Sequence, residues 1–444
     1  MQPTSVTRHL PVRQLAACLA AAFALGAPLS ASATNIDKVT SCLDDLSPGT
    51  LRKVVASAAT GDIVDLSSLS CSKITLQSGE IAVAQKSLVV SGPLDHTLTI
   101  DAGSRSRVFN HTGTGTLEIA DLTLANGKYA GAAYAQGGCV VSVNGTVFLS
   151  EAAVTGCIAS SSTAGANVHG GGIYAHGAVV ANSTVSGNLV IVSGSTGYAS
   201  GGGIYAAAGL QMGYSAVSGN SVSGGRIANG GGIYARGAIG ISSSTIDSNK
   251  ASHGGGILAG SLAGGSNHLY LTDSTVSGNH ATIAGGVETA TFTKIANSTI
   301  AFNVADSQIP GVKTSTDMAV QSSIIAKNMY SSTGVFADLY IPPTKILSGS
   351  NDLIISSNRY PPGNITADPQ LGPLSYHGTG VSVVRLLTHA LNPTSPAVDA
   401  GNNAAGLAYD ERGTFFERVR GAAADIGAYE RQDVDDEIFY NGFD

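Results

Sequence analysis

Short apolar runs alternate with polar positions along most of the chain, and many of their apolar residues are β-branched. Examples between residues 110 and 345 are "GIY", "STV", "GISSSTI" and "TFTKI". Alternation with a period of two is typical of half-buried strands, whereas a helix places apolar residues three and four apart. This region contains no helical apolar stripe long enough to supply one helix per repeat. The pattern therefore predicts many short strands.

These strands belong to a repeat. The segment "GGGIYA" stands at 170–175, 201–206 and 230–235, and "GGGILA" stands at 254–259. A second motif, "STVSGN" in its clearest copies, ends in an asparagine that recurs every 24 to 32 residues, at Asn188, Asn220, Asn249, Asn279, Asn303 and Asn328. Self-similarity at this period indicates a solenoid. Because each repeat carries strands, we expect stacked coils that pair as parallel sheets, a parallel β-helix, over 65–360.

Each repeated residue type has an expected place in the coil. The glycines should lie where the chain turns sharply into a strand, because glycine tolerates positive φ. Side chains alternate along a strand, so the isoleucines of the motif should point inward and the tyrosines beside them outward, at Tyr174, Tyr205 and Tyr234. The six asparagines should form a hydrogen-bonding ladder at a second corner. A phosphate-binding loop is excluded, because neither a helix nor a lysine follows the glycines.

One part of the repeat varies in length. From the asparagine to the next glycine triplet there are 13, 10 and 5 residues in three successive repeats. Insertions in a solenoid map to loops on one flank, which is often the recognition flank. We therefore expect an irregular flank between the asparagine and glycine corners.

The first 33 residues have the features of a signal peptide. Arg8 and Arg13 precede an apolar run at 15–29, and Ala31-Ser32-Ala33 is a small-residue cleavage site. The run is too short to span a membrane. The sequence predicts a protein that is exported from a bacterium, secreted or held at the cell surface, with no transmembrane segment in the mature chain.

A short helix is predicted within the N-terminal cap at 34–64. Apolar residues at helical spacing form one face over 47–62, and Gly61 ends the pattern; they are Leu51, Val54, Val55 and Ala58. Such a helix would cover the open end of the first coil, whose exposed edge would otherwise favour aggregation.

Net charge excludes one class of partner. Removing residues 1–33 removes two arginines and no acid, which leaves 21 basic and 30 acidic residues and a net charge of −9. Nucleic-acid binding depends on basic patches that neutralise phosphates. We therefore expect no nucleic-acid partner.

Four cysteines remain after the signal peptide, which indicates disulfides in an exported chain. Of the three possible connectivities we favour the two local bonds, Cys42–Cys71 and Cys139–Cys157. In the repeat, Cys139 aligns with the third glycine of "GGGI" and Cys157 aligns with the ladder asparagine. The second bond would therefore join two corners near the start of the regular coils.

The C-terminal region carries motifs that resemble a known module. They are "DPQLGPL" at 368–374, "SPAVDAG" at 395–401, "DERG" at 410–413 and "DIGAYE" at 425–430. Together they resemble the C-terminal module of bacterial choice-of-anchor Q proteins. The segment "SPGTLRKVVASAATGDIVDL" at 47–66 and the coil motifs resemble the same family's right-handed β-helix. The coils are also similar to those of polymorphic outer-membrane proteins and of the wider pectin-lyase-like superfamily.

The resemblance implies an all-β fold, a right-handed parallel β-helix solenoid with a short N-terminal cap helix. It also implies an exported, surface-associated or secreted protein. A C-terminal module would occupy 361–430, followed by an acidic tail at 431–444. The densest charged set of the module is expected to be a salt-bridged scaffold, formed by Asp399, Asp410, Glu411, Arg412 and Asp425.

Many parallel β-helices cleave polysaccharides. Glycosidases need two carboxylates that flank the scissile bond, and pectate lyases need clustered acids for calcium and a base that removes a proton. The acids between 151 and 300 are Glu151, Asp247, Asp273 and Glu288, and they lie in different repeats at different register positions. We therefore assign no catalytic residue. No calcium loop and no zinc spacing occur, so we expect no metal and no cofactor.

The sequence favours a non-enzymatic β-helix that presents one flank for adhesion or glycan contact. The alternative is a polysaccharide-active lyase or glycoside hydrolase of the pectin-lyase-like superfamily. The candidate binding residues are Tyr174, Tyr205 and Tyr234, because aromatic faces on a flat sheet suit sugar rings. A structural role, in which the rings stack on one another and stiffen the sheet, is the alternative interpretation of the same three residues.

Overall fold

A computed structural model describes residues 34–265, 267–378 and 384–432. The predicted signal peptide and the tail from residue 433 onward lie outside these residues. The described chain is a parallel β-solenoid, because equivalent strands of successive coils pair in register, as in the column Ile173, Ile204, Ile233 and Ile257. The prediction of an all-β, parallel β-helical fold is confirmed. One sheet carries a single strand from each of eleven successive turns.

Nineteen strands form the longest sheet, called here the long sheet. Many coils contribute two strands, or one long strand with a bulge. The strands are Ile36–Lys38, Ile63–Asp65, Ile81–Val83, Leu88–Ser91, Phe109–His111, Thr116–Ala120, Val140–Ser150, Ile173–Ala181, Ile204–Gly213, Ile233–Arg236, Ala238–Ser242, Ile257–Gly260, His268–Thr272, Val287–Thr289, Phe292–Ala296, Val312–Thr314, Met318–Gln321, Leu339–Tyr340 and Leu347–Ser350.

Eleven strands form the second sheet, which follows the long sheet in each coil. They are Lys73–Thr75, Thr99–Asp101, Thr123–Ala125, Ala153–Thr155, Thr184–Ser186, Ala216–Ser218, Thr245–Asp247, Thr275–Ser277, Thr299–Ala301, Ile324–Ala326 and Leu353–Ile354. Between the two sheets lies a continuous apolar core of valine, isoleucine and leucine side chains that extends from Val39 to Ile354.

A third side completes each coil and is wider in some coils than in others. Four coils carry two strands here, which we call the flange; its strands are Lys128–Ala130, Tyr134–Gln136, Ile158–Ser161, Asn167–His169, Leu189–Val192, Tyr198–Ser200, Ser221–Gly224 and Ile227–Asn229. The flange has its own small core, which includes Val168, Val190 and Ala199. Later coils have a narrower side with strands His280–Ile283, Val304–Gln308 and Met329–Tyr330. The variable spacing after the ladder asparagines therefore produces the flange.

The cap helix is confirmed and is shorter than 47–62. It spans Leu51–Ser57 and buries Leu51, Val54 and Val55 against the first coils. Strand Ile36–Lys38 precedes this helix and already pairs with Ile63–Asp65, so coil stacking begins earlier than residue 65. Both predicted disulfides, Cys42–Cys71 and Cys139–Cys157, are present.

Each of the three glycines of the motif is required for a different structural reason. Gly170 is in the left-handed region with φ of +70°. A Cβ on Gly171 would lie 2.2 Å from the carbonyl oxygen of Gly202 in the next coil. A Cβ on Gly172 would lie 3.0 Å from Cγ of Asn188. The first glycine is needed for its conformation, the second for the close approach of two backbones, and the third for packing against the ladder asparagine.

The ladder asparagines are buried and hydrogen-bonded along the solenoid axis. Each Nδ2 donates to Oδ1 of the next asparagine at 2.8–3.0 Å, from Asn188 to Asn328. Each Oδ1 also accepts the backbone N–H of the preceding ladder residue. The row starts at Cys157, whose N–H donates to Asn188, and it ends at Asp338, whose Oδ1 accepts both bonds from Asn328.

A parallel row of serines lies at the corner before the second sheet. Each hydroxyl accepts the backbone N–H of the equivalent residue one coil earlier, through Ser183, Ser215, Ser244, Ser274, Ser298 and Ser323. This row also ends at an aspartate, because Oδ1 of Asp352 accepts the N–H of Ser323. Both rows are thus ended by a buried carboxyl group that acts as an acceptor.

The C-terminal segment, residues 371–378 and 384–432, folds back onto the outer face of the second sheet. Its strands Leu371–Tyr376 and Leu387–Leu391 form an antiparallel pair. Beyond them, Glu411 accepts hydrogen bonds from Thr245 and Thr275 of that sheet. The predicted module is therefore not a separate body beyond the last coil.

Removing one ladder side chain should destabilise the whole stack. In Asn249→Ala, the backbone N–H and side-chain amide of Asn220 both lose their acceptor, and the carbonyl of Val217 loses a donor. Buried unpaired groups cost about 1–3 kcal/mol each, so we expect a loss of about 3 kcal/mol in the free energy of unfolding. Urea denaturation measures it. Asn229→Ala, on the flange, is the control; an equal loss in both variants would contradict the assignment.

Asp352 should make stability depend on pH. Burial raises the pKa of Asp352 from 3.8 to about 7. Between pH 4 and 7 the unfolded chain has released this proton and the folded chain has kept it, so this group reduces stability as the pH rises. Asp352→Asn removes the titration. The melting temperature of the variant relative to the unmodified protein should therefore rise between pH 4 and 7. A difference that is constant with pH would show that the carboxyl group is ionised in the fold.

Candidate functional site

The three motif tyrosines form a stacked row on the outer face of the long sheet, called here the tyrosine ladder. Tyr174 pairs with Tyr205 and Tyr205 with Tyr234 in the strand register. Their ring centroids are 4.9 and 5.0 Å apart, with interplanar angles of 8° and 15°. All three side chains are only partly buried. The ladder therefore presents nearly parallel aromatic rings at the spacing of the coils.

The flange forms a wall beside the ladder. His169 ends the flange strand Asn167–His169, and its ring centroid lies 4.6 Å from that of Tyr205. Burial lowers the pKa of His169 to about 4, so the imidazole is neutral at neutral pH. The flange, which is the irregular flank expected from the repeat spacing, thus meets the tyrosine ladder at His169 and Tyr205.

Two polar atoms on this wall have no partner. Val168 points into the flange core, so Asn167 and His169 on either side of it face the opposite way. Oδ1 of Asn167 and Nδ1 of His169 are both buried and form no hydrogen bond. His169 lies beside the tyrosine ladder, whereas Asn167 lies between Tyr134 and Tyr198 in the strand register. Buried polar atoms are nearly always paired with protein or water, so these two atoms can accept a partner from a water or a ligand.

The tyrosine hydroxyl groups are donors at neutral pH. Burial raises the pKa of Tyr205 to about 12, although the nearby Arg236 opposes this shift. Burial also raises the pKa values of Tyr174 and Tyr234. Arg236 itself is held by its Nε, which donates to the carbonyl of Ser261 at 3.2 Å.

The column of the ladder continues into charged residues. In register after Tyr234 come Leu258, Glu288 and Lys313. Nδ1 of His253 lies 3.0 Å from Oε2 of Glu288, and Nζ of Lys313 lies 3.3 Å from Oε1 of the same carboxylate. Leu258 separates Tyr234 from Glu288, a distance of about 10 Å over two coils, whereas His253 lies only one coil after Tyr234.

The other acids considered from sequence are dispersed. Glu151 lies at the corner after the long sheet, Asp247 accepts a hydrogen bond from Ser218 in the second sheet, and Asp273 is fully buried beside Arg418. Glu288 is the one of these four that lies in the tyrosine column. The structure thus brings no two of them together as a pair of catalytic carboxylates.

The charged residues of the C-terminal segment are engaged in internal contacts. Arg412 forms a two-point ion pair with Asp410, and Asp425 accepts the backbone N–H of Asp399. Asp399 in turn accepts backbone N–H groups of the loop at 422–423. These contacts hold the segment together, and Glu411 joins it to the second sheet through Thr245 and Thr275.

Two cavities lie away from the ladder. One, of about 230 Å³, lies between the solenoid and the C-terminal segment and is lined in part by Tyr214, Tyr376 and Phe415. The other is an open depression of about 500 Å³ beside Arg105 and Tyr129. Among the described residues, none of the helices has the length and apolar character needed to cross a membrane.

One cluster was not visible in the sequence. His96, Asp121 and Glu151 come from three different coils, and one ligand atom of each lies within 4.8 Å of the others. Their spacing of 25 and 30 residues matches no metal motif, because the stacking of coils, and not a local loop, brings them together.

Comparison with known proteins finds matches among solved structures. No protein-family model matches the chain, and no curated protein matches it. Among solved structures, the crystal structure of the pectate lyase Pel9A aligns with 90% of this chain and 98% of its own chain. The sequence identity is 12% and the TM-score is 0.42. A match at this level assigns neither an activity nor a site to the protein described here.

Proposed function

We propose that this protein is an exported, non-enzymatic β-helix that binds a glycan chain along the tyrosine ladder. The observation that carries the proposal is the combination of three parallel rings with a wall that bears two unpaired polar atoms, on Asn167 and His169. Ligand sites of this kind are mostly apolar or aromatic surfaces with a few polar groups that fix orientation.

The chemistry of the ladder favours a neutral sugar. The rings stack on one another at 4.9 and 5.0 Å, which leaves their outer edges and hydroxyl groups available to a ligand. The protonated hydroxyls can donate to the substituents of a sugar ring. His169 is neutral. Arg236 is the cationic side chain whose charge acts on Tyr205 and Tyr234. A chain of sugars can follow the solenoid axis, because the rings repeat along that axis at about 4.8 Å.

Two features support an exported location. The N-terminal 33 residues have the pattern of a signal peptide. The two disulfides are typical of proteins that fold in an oxidising compartment. A secreted or surface-held protein would meet polysaccharides there.

A second candidate function, polysaccharide cleavage, is favoured by the cluster at the end of the column. Glu288 can orient His253 as a general base, and Lys313 can offset negative charge on a substrate. This arrangement suits proton removal from an acidic sugar better than hydrolysis, which uses two carboxylates.

Binding should depend on the tyrosine rings and not on their hydroxyls alone. Leu258 occupies the same column, so the triple change of Tyr174, Tyr205 and Tyr234 to leucine should leave the coil intact. We expect this variant to bind at least about tenfold more weakly to a responding polysaccharide, since buried aromatic contacts dominate such sites. The panel comprises neutral glucans, mannans, xylans and arabinans, measured by isothermal titration calorimetry. The triple phenylalanine variant, which keeps the rings, is the matched control.

The outcome separates a binding ladder from a structural one. A leucine variant that melts much earlier but binds as before would show that the rings only stiffen the sheet. A leucine variant with an unchanged melting temperature and lost binding supports the proposal. Absence of binding to every polysaccharide in the panel by the unmodified protein would overturn it.

Incubation with polysaccharides should release no product. We expect neutral and uronic-acid polysaccharides to be recovered intact, as measured by size-exclusion chromatography and by ultraviolet absorbance of unsaturated sugars. Release of unsaturated product that disappears in Glu288→Gln and persists in the tyrosine-to-leucine variant would contradict the non-enzymatic proposal. It would instead support cleavage at the His253 cluster.

A further inference from the structure

A second cluster of ligand-type side chains lies at the corner that follows the long sheet. Asp121 follows strand Thr116–Ala120 and Glu151 follows strand Val140–Ser150, and these two strands pair in register. Both residues are in the left-handed region, with φ of +57° and +51°. Their side chains therefore leave equivalent points of adjacent coils, about 4.8 Å apart along the axis.

The coil before Asp121 supplies the third side chain from a loop, because the position equivalent to Asp121 is a glycine. Gly92 occupies the position equivalent to Asp121, since its N–H donates to Ala120 as that of Asp121 donates to Ser150. A Cβ on Gly92 would lie 2.3 Å from the carbonyl oxygen of Asp121, so no side chain fits there. The loop after Gly92 instead returns His96 to the cluster.

His96 lies between the two carboxylates. Its Nδ1 is 3.3 Å from Oδ1 of Asp121, and its Nε2 is 3.5 Å from Oε2 of Glu151. Neither contact has the geometry of a hydrogen bond, and Nδ1 is a buried atom without a hydrogen-bond partner. Each ring nitrogen thus faces one carboxylate, and one ligand atom of each of the three residues lies within 4.8 Å of the others, a spacing at which one ion could contact all three.

At the equivalent corner of a later coil, an acidic side chain is compensated by an arginine. Asp273 is the equivalent residue of a later coil, and it faces Arg418 at 3.7 Å. Among the described residues no arginine is paired with Asp121, which faces His96 at 3.3 Å instead. The cluster thus holds excess negative charge.

We propose that His96, Asp121 and Glu151 form a binding site for a divalent transition-metal cation such as Zn²⁺ or Mn²⁺. One imidazole and two carboxylates suit these ions, whereas Ca²⁺ prefers oxygen ligands throughout. The three side chains are 12–28% exposed, so an ion can enter from solvent and keep water ligands. Bound there, the ion joins three successive coils near the N-terminal end of the solenoid.

Titration of the full secreted chain with ZnCl₂, MnCl₂ and CaCl₂ tests the site. We expect saturable binding of Zn²⁺ or Mn²⁺ by isothermal titration calorimetry, a higher melting temperature with that ion, and a much weaker response to Ca²⁺. The double variant Asp121→Asn with Glu151→Gln should bind at least about tenfold more weakly, since even indirect changes at metal sites cost this much. Without metal it should melt no earlier than the unmodified protein, because the repulsion is gone.

A matched control uses the other histidine–glutamate contact. His253→Ala with Glu288→Gln removes a pair at 3.0 Å on a different face of the solenoid and should leave metal affinity unchanged. Affinity that is equal in the unmodified protein and the Asp121/Glu151 double variant would overturn the proposal. So would loss of binding only in the His253/Glu288 variant, or no binding at all by the unmodified chain.

Discussion

The fold depends on in-register stacking of coils at about 4.8 Å. Stacking places like residues in columns, and a buried polar column is stable only if each member both donates and accepts along the axis. Asparagine does both, so the row of hydrogen-bonded side chains extends from Asn188 to Asn328. The last member of each row needs only an acceptor oxygen. The carboxyl groups of Asp338 and Asp352 meet this need at the ends of the two rows.

The same constraint determines what a surface column can be. Repeated tyrosines give a continuous aromatic surface, because parallel rings at coil spacing attract one another. Repeated acids give repulsion, which must be offset by a cation or by protonation. Asp273 is matched by Arg418, whereas in the described part of the chain Asp121 and Glu151 are paired with His96. The tyrosine ladder and the acidic cluster are thus two consequences of one geometry.

Much of the coil could be predicted from sequence, because the alignment of repeats shows which residues occupy equivalent positions in successive coils. The glycine corner, the inward isoleucines and both disulfides could be predicted from the cysteine positions and the alignment of repeats. The disulfide Cys139–Cys157 stands where other coils pack the third glycine against the ladder asparagine. The rest depends on residues that do not repeat. His96 enters from a loop, and the C-terminal segment reaches back over more than one hundred residues to Thr245. No local pattern encodes such contacts.

The extent of the tyrosine ladder argues for a role beyond stiffening the sheet. Its column accepts leucine, glutamate and lysine in the following coils without a change of register, so the fold does not require tyrosine there. Tyrosines occur in three of the four coils that carry the flange, the first having Val141 in this column. They stop at Leu258, where the flange narrows to the short segment before Gly254. Ring stacking alone gives no reason for the ladder to end with its wall, whereas a ligand held between the two does.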